Sequence, residues 1–325
     1  MRSDGHREVR MTDWSRMGYG SWSNLAVVRE RLAAGADPNT LAGGRGRPLH
    51  HAAREGSAEV VTELVRLVDD VDAVDDGRTA LWLAVHAGRP ANARALVAAG
   101  ADPERPMMAG WSPARLSLAG ATPDLFDTSV TLTQAEAATV AEAGRLIDAL
   151  ADVDSEGMSL CCVTGIDATE AVRRLDAAVL DEEIDVEDMW DADDDESIRT
   201  LGVTEVPGGC IISQPWAYGA SMPLVALLLS AGTVCYGMYA NPKSGNQGEA
   251  AHDGVITGSD LHPGGGWSEA NAPAAEVLRD FLYQHHAVEY CCAYAAVRPA
   301  DARPFTEPDR WVRLPARDWW ASSRN

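Results

Sequence analysis

Two stretches of the chain repeat one spacing of apolar positions. Leu49, Ala52 and Ala53 fall at i, i+3 and i+4, and Leu81, Ala84 and Val85 do the same 32 residues later. That spacing places each triplet on one helical face, with small residues that let a partner helix approach closely. Further helices are expected at 25–34, 59–65 and 133–150, the last opening on Thr133-Gln134-Ala135-Glu136 as a capping box. From about residue 157 the period changes. The short apolar runs 158–163, 209–213 and 233–239 have the length of buried strands, and 252–257 reads as another. Helices are expected at 168–175, with Asp167 as its N-cap, at 222–230 and at 273–286, while 288–297 fits either state. The fold class is therefore a multidomain chain, all-α first and α+β (mixed α/β) after it.

The helical half is internally repetitive. Gly35-Ala36-Asp37-Pro38-Asn39 returns as Gly100-Ala101-Asp102-Pro103-Glu104, two periods of about 33 residues later. Arg47-Pro48-Leu49-His50-His51-Ala52-Ala53-Arg54-Glu55-Gly56 returns as Thr79-Ala80-Leu81-Trp82-Leu83-Ala84-Val85-His86-Ala87-Gly88, and more weakly from Ser112 onward. These motifs resemble the ankyrin repeat over about residues 14–126, with Arg47 in place of the usual threonine and Trp82 in place of the usual histidine. The resemblance implies a solenoid of stacked helix pairs, because no repeat buries its face alone. It also implies a ligand lying across the turn tips and first helices, a surface that by position holds Arg54, Glu55, Asp75, Asp76, Arg78, His86, Met108 and Trp111. Trp, Arg and Met are the types that concentrate interface energy. The alternative is that this face docks another part of the same chain. Gly56 and Gly88 are expected to end first helices in the left-handed conformation. Trp14 and Trp22 are expected to cover one end of the stack, and 133–150 to close the other.

The domains expected are a flexible N-terminus (1–13), the repeats (14–126), a capping or linker helix (127–152), an acidic α+β domain (153–300) and an Arg/Trp-rich tail (301–325). The order of elements around Val163, Leu175, Leu229 and Tyr239 is similar to an uncharacterised bacterial domain family, which brings no assigned chemistry with it.

Charge separates the halves. The net charge is −22. Residues 1–151 carry 20 acidic and 16 basic side chains, a net of −4, whereas 152–325 carry 29 and 11, a net of −18. Eleven of those acids lie in 181–196, with Trp190 among them as an apolar anchor. Such a balance argues against nucleic acid, whose affinity rests on Lys and Arg displacing counterions. It favours another protein, a basic one, recruited through residues such as Asp188, Trp190 and Asp191. The longest apolar stretch, 222–232, is about half of the roughly 20 residues that cross a bilayer. With no secretory signal pattern at the start, the protein is expected to be cytoplasmic and free of membrane contacts.

Motifs for chemistry fail one by one. All six cysteines lie after residue 152, in the adjacent pairs Cys161-Cys162 and Cys291-Cys292 plus Cys210 and Cys235. Neighbours on a strand point to opposite faces, so they suit a buried reduced core better than zinc. The run from Gly237 to Ser244 departs from a phosphate loop at Pro242, which has no N–H to offer. In the acidic run, Glu196 and Gly202 stand where a calcium loop needs glycine and glutamate. His252, Asp253, His262, His285 and His286 come without a nucleophile motif. No cofactor or metal is expected, and the leading reading is a non-catalytic interaction protein, of an immunity or regulatory type, that binds a basic protein. The alternative is an enzyme whose site lies in the α+β domain.

Overall fold

The repeated apolar triplets do form first helices of successive pairs. A computed structural model describes residues 13–18, 20–42, 46–181, 184, 195–265 and 267–321. The helices of this region are α1 (Leu25–Ala33), α2 (Pro48–Glu55), α3 (Ala58–Leu64), α4 (Ala80–His86), α5 (Pro90–Ala98) and α6 (Pro113–Ser117). α2 pairs with α3 and α4 with α5, while α4 packs between α2 and α6. Leu49, Ala52, Ala53, Leu81, Ala84 and Val85 are all buried. Proline opens α2, α5 and α6 at the first turn, where its missing N–H costs nothing. Thr79 Oγ1 accepts from Trp82 N at 3.2 Å and Ser112 Oγ from Arg115 N at 3.1 Å. Arg47, standing where those caps stand, gives α2 no side-chain cap.

Polar side chains link one repeat to the next. Asn39 Oδ1 accepts from Asp69 N at 3.0 Å, and 33 positions on Asp72 Oδ2 accepts from Asp102 N at 3.0 Å. His50 Nε2 lies 3.2 Å from Arg78 O, one repeat later. Trp14 and Trp22 are buried and stack with ring centroids 5.5 Å apart, and Trp22 stacks on His51 at 5.1 Å. Gly88 has the expected left-handed conformation (φ 61°). Gly56 does not, with φ −89°; it is glycine for space, since a Cβ there would sit 2.5 Å from Trp22 O.

The remainder forms an antiparallel sheet with helices. α7 (Gln134–Ala149) begins with the expected box: Glu136 N donates to Thr133 Oγ1 at 3.3 Å, and Thr133 N to Glu136 Oε2 at 2.8 Å. Along the chain follow β1 (Ser159–Thr164), α8 (Ala168–Leu175), β2 (Ala178–Val179), α9 (Asp195–Arg199), β3 (Thr200–Val206), β4 (Gly209–Gln214), α10 (Pro223–Leu229), β5 (Val234–Asn241), β6 (Gly245–His252), β7 (Val255–Leu261), α11 (Ala274–Leu282), α12 (Ala287–Tyr294), α13 (Arg303–Thr306) and β8 (Arg310–Arg313). The strand order is β2-β8-β3-β4-β1-β5-β6-β7, antiparallel at every pair. β1 is central, so both its faces are buried. Cys161 and Val163 join Leu175, Val225 and Trp319 in one core, and Leu160 and Cys162 join Leu146, Tyr283 and Cys292 in the other. Asp167 caps α8, accepting from Glu170 N at 2.7 Å.

Several sequence expectations change here. The stretch 252–257 is not one strand but a hairpin: Asp253 and Gly254, both left-handed (φ 52° and 76°), turn β6 into β7. The segment 245–248, which reads as loop after the failed phosphate motif, is the start of β6. The ambiguous 288–297 is α12, a helix. α7 places Ala143 and Leu146 in the sheet core, while Glu136 in its first turn pairs with Arg115 of α6. The tail enters the sheet as β8, between β2 and β3. The chain divides into two compact units, Met1–Ala137 with Ser268–Phe281, and Ala138–Trp267 with Leu282–Asn325. Boundaries at 126, 152 and 300 do not coincide with that division, because a short segment from late in the chain belongs to the repeat unit.

Candidate functional site

The side chains expected on the repeat surface separate into two sets. Arg54, Glu55, Asp75 and Asp76 are at least partly exposed. Glu55 pairs with His51 at 3.3 Å and with Arg54 at 3.4 Å. Asp75 is part of the turn itself, bridging to Arg78 and accepting from Gly46 N at 2.8 Å. Asp76 takes a left-handed backbone conformation and accepts from Arg78 Nη1 at 2.6 Å.

Arg78, His86, Met108 and Trp111, expected to be exposed, are buried, with Trp111 1% and His86 6% exposed. Three of them meet a segment of the same unit that lies far off in sequence. Arg78 Nη2 donates to Ser268 O, and Trp111 Nε1 donates to Ala274 O at 3.0 Å. The His86 and Phe281 rings lie 5.6 Å apart. Glycines make room for the same segment. A Cβ on Gly77 would lie 3.0 Å from Ala270 Cβ, and one on Gly120 would lie 3.0 Å from the Phe281 ring. Burial holds the His86 imidazole at about 4, so it is neutral at physiological pH. The Arg115 guanidinium lies over Trp111 at 4.7 Å and is gripped by both Glu136 carboxylate oxygens at 2.7 and 2.8 Å.

The sequence predicts a helix over 273–286, and α11 begins there, but it does not reveal the contact of the repeats with segment 268–281. Its only local signals are Pro273 opening a helix and the apolar positions Val277, Leu278 and Phe281 along it. Ser268, Ala272, Val277 and Leu278 are buried, and Ser268 Oγ donates to Asp280 Oδ2 at 2.6 Å, closing the segment on itself.

In the sheet unit the six cysteines are buried and free. Cys162 and Cys292 approach at 3.7 Å between Sγ atoms. The hydrogen bond that its thiol makes to Cys235, together with burial, pushes Cys161 well up; burial does the same to Cys162 and Cys291, and takes Cys210 to about 12. All four are thiols at neutral pH, because burial disfavours the charged thiolate. Asp253 Oδ1 accepts from Gly232 N at 3.0 Å. Among the described residues no group of three His, Cys, Asp or Glu converges as a metal site. No helix there is long and apolar enough to cross a membrane. A cavity of about 260 Å³ lies among Arg199, Tyr218, Arg317 and Trp320. Asp188, Trp190 and Asp191 fall outside the described residues.

Glu249 on β6 is the unusual carboxylate. Burial raises it to about 7, and Oε1 is buried without a hydrogen-bond partner among the described residues. A folded value above the unfolded one of about 4.3 gives stability that is complete below that pH and lost as pH rises through about 7. Glu249→Gln is therefore expected to melt higher than the parent at pH 8 and to flatten the change in Tm between pH 5 and pH 8. A parent and variant with parallel pH profiles contradict this.

Helix pairs that recur with hydrogen-bonded turns between them, and that hold a peptide segment against turns and first helices, define a helix-pair repeat protein. Residues 20–107 match ankyrin repeats, in 3 copies. That region carries ankyrin repeats, over a narrower span than 14–126. No curated protein matches the chain.

Proposed function

We propose that this protein is non-catalytic and works by binding another protein, with the ankyrin repeats as the recognition module and the acidic run as the attractor for a basic partner. One observation carries the reading: the repeat side chains grip a peptide segment, through main-chain carbonyls at Arg78 and Trp111 and through a ring at His86. Groups built to hold one stretch of polypeptide are groups able to hold another. The net charge of −18 after residue 152 supports the finer statement, since an acidic field speeds encounter with a basic surface and is screened by salt.

The test uses the full chain as bait in lysate from its native host, beside a variant with the eleven acids of 181–196 changed to Asn and Gln. Captured proteins are expected to be basic, to bind the variant about tenfold more slowly, and to be released near 1 M salt, where the screening length is about 3 Å. Capture that survives both changes rules out electrostatic recruitment. Arg54, Glu55 and Asp76, all at least partly exposed, changed together test the repeat surface, with Asp76→Asn keeping an acceptor for buried Arg78. Loss of capture with an unchanged circular dichroism spectrum is expected, and undiminished capture contradicts a role for the repeat surface.

A further inference from the structure

We propose that segment 268–281 is an internal ligand of the repeats, and that a partner docks by displacing it with a segment of like chemistry. The inference rests on the binding role argued above and names what that surface recognises.

The contacts are of the kind a receptor makes with a peptide. Two long side chains, Arg78 and Trp111, donate to main-chain carbonyls of Ser268 and Ala274. Carbonyls are common to every peptide, so these bonds hold the main chain of a turn, closed by Ala272 N donating to Glu269 O at 2.9 Å, and of the start of α11 without reading side chains. Selectivity comes from the two places where shape is fixed. Gly77 leaves room for the close approach of Ala270, whose Cβ would lie 3.0 Å from a Cβ on residue 77. Gly120 and His86 together make a seat for the Phe281 ring, which a Cβ on residue 120 would crowd at 3.0 Å. The preferred partner segment is thus a turn running into a short amphipathic helix with an aromatic residue in its last turn.

Displacement is inexpensive along most of the segment. Between Glu269 and Ala275 every residue except Ala272 is exposed, and α11 begins only at Ala274. Little apolar surface secures that stretch, which is the property of parts that open locally before the whole unfolds. Both flanks of the segment belong to the other compact unit, so it joins the repeat unit as an insertion of 14 residues. The bond from Ser268 Oγ to Asp280 then keeps the released segment folded on itself.

A fluorescent synthetic peptide of residues 268–282 is the probe, titrated into the full-length protein, into Phe281→Ala and into Asp280→Ala. A face occupied most of the time binds with an apparent Kd raised by the inverse of its open fraction. Weakening the internal ligand is therefore expected to tighten peptide binding about tenfold in Phe281→Ala and by a smaller factor in Asp280→Ala, while the same peptide carrying Phe281→Asp does not bind. In the unaltered protein, saturating peptide is expected to speed amide exchange in 268–281 and leave α4 protected, a readout that stands even where a variant folds poorly. Equal affinity for parent and variants, or bound peptide without faster exchange in the segment, overturns the proposal. If those results come with capture of a partner that still depends on Arg54, Glu55 and Asp76, only the internal ligand falls. If capture is lost to none of those changes, the binding role falls with it.

Discussion

Asn92→Ala is expected to lower the stability of the repeat unit by about 3 kcal/mol, read from the urea midpoint with an unchanged slope. A helix leaves its last carbonyls without partners, and those of α2 end in the interior. Asn92, on α5 of the next repeat and almost fully buried, answers them: Nδ2 lies 3.1 Å from Ala52 O, 3.0 Å from Ala53 O and 3.1 Å from Gly56 O. One amide thus ends the first helix of one repeat from the second helix of another. Alanine leaves the oxygens of Ala53 and Gly56 unmatched, while Ala52 O keeps its bond from Gly56 N, at roughly 1–3 kcal/mol for each that water cannot reach. Their sum is discounted because two hydrogens serve three oxygens. Asn92→Asp should be worse, since a carboxylate then faces three carbonyls. A loss below about 1 kcal/mol for the alanine variant contradicts the assignment.

Gln214→Met is expected to cost the sheet unit a similar amount, about 3 kcal/mol, although it preserves side-chain volume. Gln214 closes β4 with no solvent exposure. Its Oε1 accepts from Gly219 N at 2.6 Å, and its Nε2 donates to Ser197 O at 2.8 Å and to Ile198 O and Thr200 O at 3.1 Å. The amide orientation follows from that network, with the oxygen toward the N–H and the nitrogen toward carbonyls. Methionine would strand the main chain of α9 and of the turn after β4, and both border the cavity at Tyr218. Gln214→Glu separates volume from hydrogen bonding, because its ionised carboxylate faces three carbonyls while its protonated form can donate once. Its stability should therefore recover in part as pH falls. Thermal melts of both variants at pH 5 and pH 8 read the difference, and a Gln214→Met melt equal to the parent's refutes the role.

The repeats and their caps were legible because each is set by neighbours in the chain. Leu49, Ala52 and Ala53 needed only a helical period, and Thr133 with Glu136, or Asp167 at α8, needed only a few residues of context. Strands were less legible where pairing overrode propensity. β6 reads Gly-Asn-Gln-Gly-Glu-Ala-Ala-His and has few strand-favouring residues; it is a strand because β5 pairs with it from Val234 to Asn241. β3 carries Gly202, which looks like a break, yet a Cβ there would lie 2.6 Å from Pro308. The turn at Asp253-Gly254 had a direct local signal, a strong hairpin dipeptide, and was the one miss that the sequence itself could have prevented.

By itself, then, the sequence determined the ankyrin repeats, a change of architecture after them, a charge confined largely to the second half, and the absence of recognisable catalytic motifs. Each follows from period, composition or a short motif. Tertiary structure alone decided which repeat residues face solvent. Arg78, His86 and Trp111 stand where the family meets its ligands, and their types suit an interface. Whether they are open depends on Ser268, Ala274 and Phe281, more than 160 positions away from the residues they meet. No local periodicity encodes a contact of that separation, because it exists only once both ends are folded, and it turns an expected open surface into one already holding a segment of its own chain.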